Sequence, residues 1–268
     1  MNISVLGCGW LGLPLAKRLL EEGHTVKGST TSMDKMSRLT AEGVIPYKIK
    51  VYEEGVQGDL TSFLSDAEIL IIDIPPGTRK DPEANFAGKT GRITEYLDRS
   101  SVKQVIFISS TSVYEDGVDI PEYNEEDAPN ATAANSLQLR GAETLLKKSG
   151  INVLSIIRFG GLFGPGRHPV KYLSGRKDIS NPEAPVNLIH LEDCIGIIMA
   201  VISSGSQGVF LGVHPDHPSK KEYYTAVARA KNLPVPEFDH STPSKGKLIK
   251  ALRLEEELGY VFSKSLLD

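Results

Sequence analysis

The 268-residue sequence predicts an α/β fold, a doubly wound parallel sheet with a small C-terminal lobe. Three observations carry this. Short β-branched runs alternate with segments of helical period. The first run leads directly into a glycine-rich turn and then a helical pattern. After Phe159 the alternation gives way to a stretch, 160–185, rich in Gly, Pro and charge.

Ile3–Leu6, Ile69–Ile74, Val105–Ile108 and Val153–Ile157 have the length and composition of strands buried on both faces. Val26, Tyr47–Val51 and Asn187–His190 read as weaker strands. Leu11–Glu22 sets Leu15, Leu19 and Leu20 on one helical face and stops at Gly23. Leu137–Ser149 closes with Lys147 and Lys148, cations suited to a helix C-terminus, and stops at Gly150. Two more helices are expected near Lys221–Ala230 and Leu248–Leu258. The expected domains are 1–163 plus 186–206 for the sheet and 164–185 plus 207–268 for the lobe.

Composition narrows the function classes. Thirty Lys and Arg against 34 Asp and Glu give a net charge of −4, without the basic footprint of a nucleic-acid binder. Cys8 and Cys194 form no CxxC pair, so neither a disulfide framework nor a metal site is expected. No apolar run reaches the roughly 20 residues that span a bilayer. The apolar N-terminus lacks the basic segment of a signal peptide, with no Lys or Arg before Lys17. The expectation is a cytoplasmic protein acting on a small molecule, with a homodimer as a compatible assembly.

Gly7-Cys8-Gly9-Trp10-Leu11-Gly12 is GxGxxG between a strand and a helix. In a Rossmann-type fold the first glycine permits the tight turn, the second lets backbone approach a pyrophosphate, and the third lets helix and strand pack closely. The helix N-terminus adds free amides and partial positive charge. Gly7, Gly9, Trp10, Leu11 and Gly12 are therefore the expected cofactor loop, and Cys8 beside the helix end either favours thiolate or is a buried, inert thiol. An NAD enzyme places an acid about 20 residues past this motif, on the ribose 2′-hydroxyl. Here the window holds Ser29, Thr30, Thr31 and Ser32, with Lys35 and Arg38 beyond; Asp34 is the competing acid. NADP is expected over NAD.

Val105–Ile108 runs on into Ser109-Ser110-Thr111-Ser112-Val113-Tyr114, and hydroxyls at the carboxyl end of a central strand face the cofactor crevice. This segment resembles the extended short-chain dehydrogenase/reductase family of nucleotide-sugar epimerases and dehydratases. Arg158–Arg167 resembles the family's substrate-side loop, and Val186–Asp193 its following segment, where Asp193 would cap a helix. The resemblance covers nearly the whole chain. The GxGxxG form with the GPGRHP and SKGK segments, Gly164–Pro169 and Ser244–Lys247, is most similar to an atypical, YeeZ-like branch. The resemblance adds Pro75, Ser109 and Phe159 to the cofactor residues. It places Ser110 as the hydrogen-bond donor to substrate.

The same alignment exposes a departure. The family uses a Tyr and, four residues later, a Lys for proton exchange during hydride transfer. Asn135 and Leu139 take those places here, and neither can do that work. Tyr260 and Lys264 form a coincidental Y-x-x-x-K in the C-terminal tail. Tyr114, which in the family usually packs beside the motif, and His168, a ring that either titrates near neutrality or caps loop backbone, are the remaining candidates for catalysis. Arg79 and Arg167 are candidates for an anionic or sugar-like substrate, and His190 reads as a packed neighbour of the site. Two functions follow: an NAD(P)-dependent oxidoreductase or epimerase/dehydratase-like enzyme with a rearranged acid–base group, or an inactive NADP(H)-binding sensor.

Overall fold

The computed structural model describes residues 1–77, 81 and 84–268. Its described residues form two compact units, 1–110 with 132–158 and 198–209, and 111–131 with 159–197 and 210–268. Compared with the expected domains, the second unit also takes in 111–131, 159–163 and 186–197.

The central sheet has seven strands: β1 (Asn2–Leu6), β2 (Thr25–Thr30), β3 (Ile45–Lys48), β4 (Ile69–Ile72), β5 (Gln104–Ser110), β6 (Val153–Phe159) and β7 (Gly208–Gly212). Their order across the sheet is 3-2-1-4-5-6-7. Strands β3, β2, β1, β4 and β5 pair in parallel, Ile3 opposite Val26 on one side and Ile69 on the other. The chain thus winds outward from β1 in one direction, then returns to β1's other side with β4. That reversal is the switch point where ligands bind in open α/β sheets.

Apolar burial on both faces explains why these runs are strands. Val5, Ile71 and Ile72 have no exposed surface, and neither do Leu15 and Leu19 on α1 (Gly12–Glu21). Each fully buried aliphatic side chain stabilises the fold by about 1.5–3 kcal/mol. The further helices of the first unit are α2 (Met33–Ala41), α3 (Leu60–Leu64), α4 (Phe86–Leu97) and α5 (Ala134–Lys148). The α4 N-terminus is capped from two places: Asn85 Oδ1 accepts from the Gly88 amide at 2.7 Å, and Gln138 Oε1 of α5 accepts from the Phe86 amide at 2.8 Å.

In the second unit Gly161–Phe163 pairs in parallel with Leu188–His190, and Glu122–Tyr123 with Leu248–Ile249. Helices α6 (Val170–Leu173), α8 (Lys220–Ala230) and α9 (Arg253–Glu256) follow, while α7 (Leu191–Ser204) begins in this unit and from Ile198 belongs to the first. Phe163, Val170, Leu188, Tyr223 and Val227 form its core. Ser219 and Glu222 close a reciprocal capping box on α8. The helix expected over 248–258 is corrected to a short strand and the single turn of α9, because the Leu248 amide bonds to the Pro121 carbonyl and the Lys250 amide to that of Tyr123. Among the described residues no helix is long and apolar enough to cross a membrane.

Candidate functional site

The switch point is built around Gly7 and Asp73, which follow β1 and β4. Gly7 has φ +112°, and a Cβ there would strike the Asp73 carbonyl, so a side chain is excluded twice over. A Cβ at Gly12 would strike the Gly7 carbonyl, which is the close helix–strand packing expected of the third glycine. Gly9 is different. A Cβ there would have no neighbour within 4 Å. The fold itself does not require glycine at position 9, so the space beside it is available to a ligand.

β2 holds this loop in place. Ser29 Oγ accepts from the Gly7 amide at 2.9 Å and the Ser29 carbonyl accepts from the Cys8 amide at 2.8 Å. Ser29 is buried, as is Thr30, whose Oγ1 accepts from the Ser32 amide at 3.3 Å. Of the hydroxyls and charges expected to meet a 2′-substituent, Thr31 and Lys35 are exposed, together with Asp34 and Arg38. Gly28 was not singled out by the sequence reading. A Cβ at this strand position would lie 2.6 Å from Cys8 Sγ and 2.6 Å from Val44 Cγ1, so the loop presses on β2 there. An isolated glycine inside a strand was the available signal.

The thiolate expected at Cys8 is corrected. Burial, then the Asp73 carboxylate, push its thiol up from 9.0 to about 12, outweighing the lowering hydrogen bond from the Ser29 backbone. α1 begins only at Gly12, so Cys8 sits outside the helix end that would have stabilised the anion. Leu11 is the N-cap residue, and no side chain caps the helix or places an acid in its first turn. Trp10 lies partly buried in the same turn and Pro75 is exposed past β4.

At the end of β5 the two serines differ. Ser109 is buried and donates to Glu143 Oε1 of α5 at 2.7 Å. That carboxylate is gripped by Arg158 of β6, Nε to Oε1 at 3.0 Å and Nη2 to Oε2 at 2.6 Å. Ser109 therefore helps to satisfy a buried ion pair. Ser110, the next residue, ends the strand half-buried. On α5, Asn135 is exposed and Leu139 buried.

The remaining candidates belong to the second unit. Phe159 is packed with its ring where a Cβ on Gly212 would fall. Tyr114 is buried, stacks on Tyr123 with ring centroids 4.7 Å apart, and donates its hydroxyl to the Asn124 carbonyl at 3.2 Å. The expectation that His168 titrates near neutrality is corrected. Burial first, then Lys231 and Lys171, lower it from 6.5 to about 4. Its Nδ1 accepts from the Val170 amide at 3.1 Å, leaving Nε2–H to donate to Tyr223 Oη at 3.2 Å, and Tyr223 donates onward to the Leu266 carbonyl at 2.9 Å. Arg167 is exposed in the preceding loop. Arg79 lies outside the described residues.

Asp193 was expected to cap a helix, and this is also corrected. His190 Nδ1 accepts from the Glu192 amide at 3.2 Å at the start of α7. Asp193 Oδ1 instead accepts from Tyr260 Oη at 2.9 Å and from the Ser263 amide at 2.7 Å, tying down the C-terminal segment. Tyr260 is thereby a structural tether, and its phenol is pushed far up by burial and by Asp193.

Comparison with known proteins agrees with this geometry. Residues 7–187 match the family model described as NAD(P)H-binding. The chain is 34% identical to protein YeeZ of Escherichia coli strain K12, over 97% of this chain and 95% of that one. Solved structures share the fold at low identity. A UDP-glucuronic acid 4-epimerase from Bacillus cereus in complex with NAD superposes with a TM-score of 0.82 at 17% identity, covering 100% of this chain and 93% of that one. The human epimerase family protein SDR39U1 with NADPH does so with a TM-score of 0.77 at 15% identity, covering 100% and 97%. With its glycine loop at the switch point, a family match from that loop to residue 187 and a relative aligned nearly end to end, the chain belongs to the NAD(P)H-binding family, among the relatives of YeeZ.

Proposed function

We propose that this protein binds NADP(H) in preference to NAD(H) and is an oxidoreductase or epimerase/dehydratase-like enzyme whose proton exchange differs from the family's Tyr/Lys scheme. The observation that carries the binding is the contrast among the three glycines. Gly7 and Gly12 are required by neighbouring backbone, whereas Gly9 is exposed and a Cβ there would meet nothing within 4 Å, which leaves room for a ligand between the other two. The amides of Trp10, Leu11 and Gly12 would meet the pyrophosphate at the uncapped end of α1. Thr31 and Lys35, exposed past β2, would meet the 2′-phosphate. Pro75, Ser109 and Phe159 complete the proposed cofactor surroundings, with Ser109 acting through Glu143.

Bound there, the nicotinamide would supply hydride transfer at its C4 position. The chain's own part is to orient a small anionic or sugar-like substrate, with Ser110 donating a hydrogen bond to its oxygen. Tyr114 and His168 act as general acid–base groups only if their present hydrogen bonds are broken, so Ser110 carries the prediction. Ser110→Ala should lower any NADP-linked turnover by ~10²–10⁴, the usual worth of such help, while leaving NADPH affinity within a factor of two or so. Full turnover in Ser110→Ala would remove Ser110 from the chemistry.

One observation favours the sensor reading. Leu139, at the position of the family's lysine, is buried and apolar. Stereospecific transfer of deuteride between labelled NADPH and a trapped product separates the readings: transfer supports the enzyme, and tight binding without any transfer supports the sensor.

A further inference from the structure

One cavity lies wholly within the second unit. Its volume is about 290 Å³, and it is lined by Phe163, Arg167, His168, Lys171, His190 and Lys231. Phe163 forms an apolar wall with the two histidine rings, whose centroids stand 5.5 and 5.1 Å from its own. Lys171 and Lys231 make no ion pair or side-chain hydrogen bond among the described residues, and both act on His168 strongly enough to depress its basicity. Arg167, Lys171 and Lys231 are exposed residues lining one small cavity, and their like charges favour an anion there.

His190 supplies a more pointed observation. The residue is buried, 8% exposed. Since Nδ1 accepts the Glu192 amide, a neutral ring carries its hydrogen on Nε2. That Nε2–H has no partner among the described residues, and the ring lines the cavity. It is a nearly buried donor awaiting an acceptor. Asp268 also lines the cavity, with Oδ2 accepting from the Ser265 amide at 2.9 Å. A carboxylate in the same lining accepts from ligand hydroxyls and disfavours a second negative charge.

We infer that this cavity binds a small hydroxylated molecule carrying one phosphate group, with Arg167, Lys171, Lys231 and His190 on the phosphate and Asp268 on a hydroxyl. Its volume lies at the lower edge of ligand pockets and is too small for a dinucleotide. The inference does not depend on the cofactor assignment.

The test is calorimetric titration of the full chain with ribose 5-phosphate, ribose and inorganic phosphate. Ribose 5-phosphate should bind, inorganic phosphate more weakly, and ribose undetectably. Lys171→Ala and Lys231→Ala should each weaken ribose 5-phosphate roughly tenfold, the worth of one charged hydrogen bond. NADPH titration of these variants should be unchanged, which also shows that they fold. Gly9→Val should bind ribose 5-phosphate as the unaltered chain does. No binding of ribose 5-phosphate at millimolar concentration overturns the inference, as does equal binding by the double lysine variant. Binding lost in Gly9→Val but kept in the lysine variants would place the sugar phosphate in the glycine loop and also overturn it.

Discussion

The Gly7 amide donates to Ser29 Oγ across 2.9 Å, joining the first glycine of the loop to the strand beside it. Ser29 is 2% exposed, and its hydroxyl oxygen accepts this bond. This gives the residue a positioning role. Ser29→Ala leaves a partly buried amide unpaired, which should cost about 1–3 kcal/mol of stability. NADPH and NADH should weaken in proportion, because the loop shape and not the 2′-phosphate is affected. A selective loss of NADPH, measured by parallel titrations, would instead put the hydroxyl on that phosphate.

The Glu143–Arg158 pair should respond asymmetrically. Both side chains are almost completely buried, at 3% and 1% exposure, and joined at two points. Glu143→Ala strands a buried guanidinium and should cost about 3–5 kcal/mol in urea unfolding. The double variant Glu143→Leu, Arg158→Met removes both charges and should recover most of that loss. A double variant as unstable as Glu143→Ala would mean that packing around the pair, and not its charge, governs stability.

Acid should expose His168. Its folded ring is held neutral to about 4, whereas the unfolded ring takes a proton near 6.5. The unfolded chain therefore binds more protons between these values, and stability is lost as the pH falls from 6.5 toward 4. His190 and His217 are shifted in the same direction, chiefly by burial. His168's share should be about 1–3 kcal/mol by pH 4.5. Urea midpoints for the unaltered chain and His168→Gln should converge as the pH drops. A constant gap between them would contradict the depressed ring.

The core strands were legible because both-face burial writes itself as unbroken apolar runs such as Ile69–Ile72. The glycine loop was legible because Gly7, Gly9 and Gly12 have a set spacing between strand and helix, with the first and third demanded by neighbouring backbone. Other features were set at long range. The α4 sequence contains Gly88 and Gly91, which weaken its pattern, and one of its caps, Gln138, lies 52 residues beyond Phe86. β7 is a five-residue strand that begins and ends in glycine, too weak a signal to read locally. Leu248–Leu258 reads as helix by composition, yet edge pairing with Glu122–Tyr123 claims its start. At the site, the burial of Ser29 and Ser109, the nearness of Asp73 to Cys8 and the grip of Glu143 on Arg158 all arise from the approach of separate elements. No spacing along the chain announces them.

The measurement that bears most directly on the central claim is an NADPH titration of Gly9→Val, followed through Trp10, the chain's single tryptophan. A Cβ at position 9 meets nothing within 4 Å, so the variant should fold and match the unaltered chain in far-ultraviolet circular dichroism. NADPH should change Trp10 fluorescence in the unaltered chain and have no effect on the folded variant, because valine would occupy the space proposed for the pyrophosphate. A folded Gly9→Val protein that titrates with NADPH as the unaltered chain does would contradict the assignment of this loop.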